Sequence, residues 1–185
     1  GKNANIVLPD ADMELAVAGA CNAFIKNTGQ ACTAGSRLIV HSSIAGSFLA
    51  RLRERLKTLR IGPGWDERNE LATLASPRQY EKVTEYIRIG KEEGAHVYYE
   101  GVLSSEHSAG LYVAPVVFTD VRSDMRVWRE EIFGPVLTVQ TFDSVREAVD
   151  LANDSPYGLT AALWTRHMGN ANRIVRELDA GIIFV

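Results

Sequence analysis

The chain has 185 residues, of which 46% are hydrophobic and 23% charged, and its formal net charge is -3 at pH 7. This length and apolar content are enough for one domain with a sizeable core that needs no disulfides. The charge balance provides no basic surface for nucleic acid, and no apolar run approaches the ~18 residues of a membrane span. With two cysteines and no signal-peptide pattern, we expect a cytoplasmic protein whose partner is a small molecule or another protein.

The first predicted helix runs from Asp12 to Lys26, because apolar residues recur there at helical spacing. One of the two cysteines, Cys21, lies within this helix, and we interpret it as a small buried hydrophobic side chain. The predicted buried face also contains Leu15, Val17, Ala20, Phe24 and Ile25.

The other cysteine lies in a Gly-rich loop between that helix and a predicted strand at Leu38–Val40. Cys32 has no helical periodicity around it, and Gly29 and Gly35 allow backbone angles that other residues resist. A nucleophile has to lie on a loop that a substrate carbonyl can approach. The local pattern therefore makes Cys32 a candidate nucleophile, with an incidental loop thiol as the alternative.

The rest of the chain alternates helices with short β-branched segments. A capping-box pattern at Ser76 and Gln79, with Pro77 in the first turn, predicts a helix start. Strands separated by helices imply right-handed crossovers and a mainly parallel sheet that is covered on both faces. The predicted fold class is therefore α/β, a three-layer α/β/α domain with a mainly parallel open sheet over residues 1–185. The remaining predicted helices cover residues 48–59, 77–94, 145–153 and 170–178, and the remaining strands 96–99, 112–118, 136–142, 161–165 and 181–185.

Two segments resemble those of a known family. The string FIKNTGQACTAGSR, residues 24–37, resembles the active-site segment of the NAD(P)-dependent aldehyde dehydrogenase superfamily, in which the cysteine is the catalytic nucleophile. The string EEIFGPV, residues 130–136, is similar to a second segment of that family, in the family's order and approximate spacing. The first residues, GKNANIV, and the last, AGIIFV, also resemble family segments. The resemblance therefore covers essentially the whole chain, and implies the catalytic-domain fold of that family.

The resemblance implies an oxidoreductase that oxidises an aldehyde to a carboxylic acid with NAD or NADP. Cys32 would form a thiohemiacetal and then, after hydride transfer to the cofactor, a thioester that activated water hydrolyses. Glu131 would accept hydrogen bonds from a cofactor ribose, Phe133 would pack beside the nicotinamide ribose, and Gln79 would touch the far ribose. The capping box explains Gln79 at least as well. Lys2, Asn27 and Arg37 also match family positions and are expected to support the active-site loops.

Other parts of the family's machinery would lie outside these residues. The general-base glutamate, the oxyanion asparagine and most of the dinucleotide-binding domain would precede Gly1, and the oligomerisation strand would follow Val185. We therefore expect a single catalytic-type domain without the cofactor-binding domain and without the oligomerisation strand, inactive as an isolated chain. An apolar docking edge left uncovered would favour a homo-oligomer.

Two other interpretations stay open. The chain could be a non-enzymatic truncated module that binds a partner or self-associates. It could instead be a cysteine hydrolase, which requires a histidine beside Cys32, although the four histidines show no sequence pairing with it. They also form no metal-ligand pattern, so no metal is expected. The histidines are His41, His96, His107 and His167.

Overall fold

The computed structural model describes residues 1–107 and 109–185. These residues form one seven-stranded sheet, in which β3 and β4 are antiparallel and all other neighbouring strands are parallel. The strands are β1 (Ala4–Val7), β2 (Arg37–His41), β3 (His96–Glu100), β4 (Val116–Thr119), β5 (Val136–Phe142), β6 (Thr160–Trp164) and β7 (Ile182–Phe184). Their order across the sheet is β3-β4-β5-β2-β1-β6-β7, which confirms the predicted mainly parallel sheet.

Side-chain caps define where several helices begin. Asp12, Ser76 and Ser144 each accept a hydrogen bond from the backbone N–H three residues further on. None of the helices in the described part of the chain is long and apolar enough to cross a membrane. The helices are α1 (Met13–Ile25), α2 (Ser42–Lys57), α3 (Pro77–Glu92), α4 (Arg126–Arg129), α5 (Val145–Asn153) and α6 (Met168–Glu177). The sequence did not predict α4, because a single turn carries no measurable periodicity.

The core consists of two apolar clusters, one on each face of the sheet. Leu38 and Val40 of β2 belong to one cluster and Ile39 to the other, as the alternation of side chains along a strand requires. Helices α1 and α2 cover the first face, where Phe48 is fully buried. Helices α3 to α6 cover the second face, where Trp128 is fully buried. The predicted three-layer α/β/α arrangement is thus confirmed.

Several elements differ in detail from the sequence prediction, among them α2, which begins at Ser42 rather than at residue 48. Leu15 was expected on the buried face of α1 but is 63% exposed, whereas Ala16 takes its place in the core. Helix α1 has apolar residues on more than one side, so periodicity alone does not determine which side faces the sheet. The extended segment that begins at Tyr112 becomes a strand only at Val116, because Pro115 has no N–H to donate to a neighbouring strand.

Candidate active site

The two cysteines occupy opposite environments. Cys32 is exposed on the turn between α1 and β2, which is closed by a hydrogen bond from Ala34 N to Ala31 O (3.1 Å). Cys21 is fully buried within α1. Burial raises the pKa of the Cys21 thiol to about 11, because the thiolate is poorly solvated there. A substrate can approach the first thiol but not the second.

The Cys32 turn and Glu131 both lie against Gly1. The Gly1 nitrogen is in contact with the Glu131 carboxylate. A Cβ placed on Gly1 would lie only 2.7 Å from the Cys32 carbonyl oxygen. The three residues precede β1, β2 and β5, which are adjacent and parallel, so their amino ends lie at the same edge of the sheet. The structure therefore brings the predicted nucleophile and the predicted ribose-binding carboxylate together at this amino edge.

Backbone contact joins the two loops directly. Gly29, three residues before Cys32, has a φ of +71°, and a Cβ there would lie 2.2 Å from the Gly134 carbonyl oxygen. The Pro135 nitrogen would be 2.8 Å away. Only glycine tolerates both this left-handed angle and so close an approach of another backbone. The loop of Cys32 therefore packs on the loop of Glu131 with no side chain between them.

The residues just before Gly29 are held in an unfavourable conformation. Asn27 and Thr28 have φ values of 55° and 57°, a region that is strained for a β-branched side chain. Thr28 Oγ1 donates to Ala72 O (3.2 Å) and accepts from Ala72 N (3.1 Å). Asn27 Nδ2 donates to Gln30 O (2.8 Å), and Gln30 Oε1 accepts from Ala75 N (2.8 Å). Asn27 thus supports the loop internally, and segment 72–75 holds it from outside.

Gln79 holds the Glu131 loop from the side of α3. Its backbone N–H donates to Ser76 Oγ (3.2 Å), which is one half of the predicted capping box. Its side-chain Nε2 donates instead to the carbonyls of Ile132 (3.0 Å) and Phe133 (2.8 Å). Phe133 has a φ of 62°, and these bonds help to keep it there. The contacts of Gln79, Glu131 and Phe133 with a cofactor stay predictions.

Lys82 is a charged residue at this edge that the sequence analysis missed. It lies one helical turn after Gln79 on α3. The positive charge of Lys82 reaches the Gly1 nitrogen, so Lys82 lies near the residue that links Cys32 to Glu131. A lysine on an amphipathic helix is normally interpreted as a solvated residue. The sequence signal that could have identified Lys82 is its spacing of three residues from Gln79, which places both on one side of α3.

Arg37 supports the base of the Cys32 loop. Its Nε donates to Lys2 O (2.8 Å), and Nη1 and Nη2 donate to Leu151 O (2.9 Å) and Ala152 O (2.7 Å) in the last turn of α5. The guanidinium lies 5.1 Å from the centroid of the Trp128 ring. Burial lowers the pKa of Arg37 to about 10, so it remains charged at neutral pH. A cation is favourable at the carboxyl end of a helix, and the negative charge of Asp154 acts on Arg37 in the same direction.

Lys2 is buried beside Arg37. It is 1% exposed, and its Nζ has no hydrogen-bond partner among residues 1–107 and 109–185. Burial, and secondarily the charge of Arg37, lowers the pKa of Lys2 from 10.5 to about 7.

We expect Lys2 to make the protein more stable as the pH rises from about 7 to about 10. In this range the unfolded chain retains the Lys2 proton and the folded chain has released it, so raising the pH favours the folded state. Relative to Lys2→Met, which keeps the apolar stem, the unmodified protein should gain about 2 kcal/mol of unfolding free energy between pH 7 and pH 9. Urea unfolding at both pH values measures this difference. Equal pH dependence in the two proteins would show that Lys2 stays protonated when folded.

Three of the four histidines lie at the opposite edge of the sheet from Cys32. His41 ends β2 and His167 follows β6, and both cap the helices that come after them. His96 begins β3, which runs antiparallel and pairs it with the last residue of β4. His107 lies in the segment before β4, with its ring edge-on to a tyrosine. The cysteine-hydrolase interpretation therefore gains no support from these positions.

Comparison with known proteins identifies the family. The family model described as the aldehyde dehydrogenase family matches residues 1–185. The match covers the α/β domain described above, including both loops that meet at Gly1. The chain therefore belongs to the aldehyde dehydrogenase family, and the resemblance of its two segments is confirmed.

Individual relatives support the same assignment. Betaine aldehyde dehydrogenase of Bacillus subtilis (strain 168) is 42% identical over 187 residues, covering 100% of this chain and 38% of that protein. Hydroxyisobutyraldehyde dehydrogenase of Mycolicibacterium austroafricanum is 40% identical over 185 residues, covering 100% and 37%. A crystal structure of betaine aldehyde dehydrogenase from Staphylococcus aureus in complex with NAD+ superposes with a TM-score of 0.96 at 38% identity, covering 100% of this chain and 37% of that one. The chain thus spans somewhat more than a third of the length of these relatives.

Proposed function

We propose that this chain is the catalytic portion of an NAD(P)-dependent aldehyde dehydrogenase and that Cys32 is its nucleophile. The observation that carries the proposal is that the loop of the exposed Cys32 packs directly on the loop of Glu131 at the amino edge of the sheet, where a Cβ on Gly29 would lie 2.2 Å from the Gly134 carbonyl oxygen. Two relatives of similar fold, a betaine aldehyde dehydrogenase and an indole-3-acetaldehyde dehydrogenase, are named for aldehydes and were solved with NAD+. These relatives support both the substrate class and the cofactor.

The chemistry assigned to Cys32 follows from its exposed position on a turn. Its thiolate adds to the aldehyde carbon, a C–S bond forms, and the carbonyl π electrons move to the oxygen. Backbone N–H groups of the turn would supply donors for that negative charge. NAD(P), held by Glu131, Phe133 and Gln79, would supply the hydride acceptor that converts the thiohemiacetal on Cys32 into a thioester. Hydrolysis of the thioester returns the free thiol and releases the carboxylic acid.

The residues around Cys32 suit a nucleotide ribose. The Glu131 carboxylate is about one-third exposed, and a carboxylate accepts hydrogen bonds from two vicinal hydroxyls. We assign Glu131, Phe133 and Gln79 to the cofactor side of the site, because Gln79 fixes the loop that carries the other two. Lys82 joins this group as a cation near the same edge.

The proposal includes self-association of the chain through the edge strand β7. Strand β7 lies at the outer edge of the sheet, and its Ile182 and Phe184 are 51% and 58% exposed. An exposed apolar edge strand favours pairing with another polypeptide. A homo-oligomer and a cytoplasmic location both stay predictions.

Two reagents test the role of Cys32. We expect iodoacetamide to alkylate Cys32 at least ~100-fold faster than Cys21, because only Cys32 is accessible in the folded state.

We also expect p-nitrophenyl acetate to acetylate Cys32: the thiolate attacks the ester carbonyl, the acetyl group is transferred to sulfur, and p-nitrophenolate leaves. Mass spectrometry locates the label, and absorbance follows the phenolate. Cys32→Ser should lose the rapid release of one equivalent of p-nitrophenolate per chain. Cys21→Ser is the matched control that should keep this release. Equal labelling of both thiols, or faster labelling of Cys21, contradicts the assignment.

A further inference from the structure

We infer that Asn3 is a positioning residue for Cys32, an inference that rests on the proposed function. Asn3 is buried, with 4% of its surface exposed, immediately before β1. Its Nδ2 donates one hydrogen bond to the Cys32 carbonyl (2.8 Å) and another to the Ala34 carbonyl (2.9 Å). A single buried amide thus holds two of the carbonyls of the turn that carries the thiol.

The orientation of that amide is determined by its other bonds. Asn3 Oδ1 accepts from the buried backbone N–H of Thr160, at the start of β6 (3.1 Å). The Asn3 backbone carbonyl accepts from Arg37 N (3.1 Å). Rotating the amide by half a turn would place its oxygen against the Cys32 carbonyl and its NH2 group against the Thr160 N–H. Asn3 is therefore locked with its two donors facing the turn.

Fixing the Cys32 carbonyl also fixes the N–H on the other side of the same peptide. In a planar trans peptide, the C=O of one residue and the N–H of the next point in opposite directions. The Cys32 carbonyl points at buried Asn3, so the N–H of Thr33 points away from Asn3. Holding this peptide and the Ala34 carbonyl fixes the turn, whose backbone N–H groups are the donors for the negative oxygen that forms when Cys32 attacks a carbonyl. Asn3 acts through the turn and does not touch the substrate.

The sharpest test is Asn3→Asp in the full 185-residue chain. Aspartate has the same shape and keeps an acceptor for Thr160 N, but it removes both donors to the turn. The matched control is Asn5→Asp, two residues further on and inside β1: Asn5 is 1% exposed, and its Oδ1 accepts from Trp164 Nε1 (2.8 Å). Both variants place a buried carboxyl in β1 or directly before it, and only the first changes the contacts with the Cys32 turn.

The test compares the rate of acetylation of Cys32 with its rate of alkylation. Each rate is measured at high pH, where it no longer changes with pH, so that a change in the thiol pKa does not affect the comparison. Acetylation by p-nitrophenyl acetate passes through an oxyanion, whereas alkylation by iodoacetamide does not. We expect Asn3→Asp to lower acetylation at least about tenfold while alkylation changes less than about twofold, since a lost oxyanion donor costs about 10²–10³ in an optimised enzyme. Asn5→Asp should leave the ratio of the two rates unchanged.

Folding is monitored in the same samples by alkylation of buried Cys21. If Asn3→Asp exposes Cys21, Asn3→Ser, which buries no charge, is used, and the same fall in the ratio is expected. An unchanged ratio in a folded Asn3 variant, or an equal fall in Asn5→Asp, overturns the role of Asn3. Absence of acetylation at Cys32 in the unmodified protein overturns the proposed nucleophile instead, so the two failures are distinguishable.

Discussion

The 185-residue chain by itself should form no NADH when it is mixed with NAD+ and an aldehyde. Oxidation needs a hydride acceptor held beside the thiohemiacetal and a base that activates water for the thioester. The resemblance described above implies that those groups come from family segments with no counterpart among these residues. Loss of one oxyanion donor alone costs about 10²–10³ in rate, so the combined loss should bring turnover below detection. Absorbance of NADH measures the result, with a full-length relative such as the Bacillus subtilis enzyme as the positive control.

The informative comparison is between this assay and the labelling of Cys32. A chain that is acetylated at Cys32 but produces no NADH has a working nucleophile and an incomplete cofactor site. A Cys32-dependent turnover of ~1–10³ s⁻¹, the range of ordinary enzymes, would contradict the prediction. Such turnover would mean that other residues of this chain take the place of those groups.

Replacing Gly29 by alanine should destabilise the protein by more than about 3 kcal/mol. An alanine at a φ of +71° costs about 1–2 kcal/mol on its own, and its Cβ would lie 2.2 Å from the Gly134 carbonyl oxygen. Neither backbone can move freely, because Gly134 is itself packed on Val83: a Cβ at Gly134 would lie 2.5 Å from that side chain. Urea unfolding measures the loss, and faster alkylation of Cys21 would report the same opening.

Gly46→Ala is the matched control for this change. Gly46 lies inside α2, and a Cβ there would meet nothing within 4 Å. Alanine in an open helix position should stabilise the protein by about 0.5–1 kcal/mol. Similar effects of the two substitutions would show that the Cys32 and Glu131 loops do not pack as closely as described.

Much of this molecule was predictable because the determining interactions are local in sequence. The thiol on a Gly-rich loop and the helix starts at Asp12 and Ser76 depend on residues a few positions apart. The same is true of the alternation of short apolar strands with helices, which was sufficient to predict a mainly parallel sheet with helices on both faces. Local pattern also predicted correctly that Cys21 is buried within a helix and that Cys32 lies on a loop.

Tertiary structure decided which distant residues meet. Strand β5 pairs with β2, far from it in the chain, and that pairing is what brings the loop of Glu131 to the loop of Cys32. The apolar pattern of β5 is compatible with several positions in the sheet, so periodicity could not determine its neighbours. Leu15 shows that periodicity has the same limit for a helix, since packing against its neighbours determines which side of α1 is buried.

The polar contacts of the site were likewise beyond local pattern. Gln79 matches a capping box, yet its side chain bonds to the carbonyls of the Glu131 loop. Asn3 and Arg37 hold carbonyls that belong to the Cys32 turn and to the end of α5. A buried donor binds whichever acceptor the fold places beside it, and a backbone carbonyl has no residue-type signature in the sequence. The sequence by itself therefore determined the class of fold and the candidate nucleophile, whereas only the folded chain decided what surrounds that nucleophile and holds it in place.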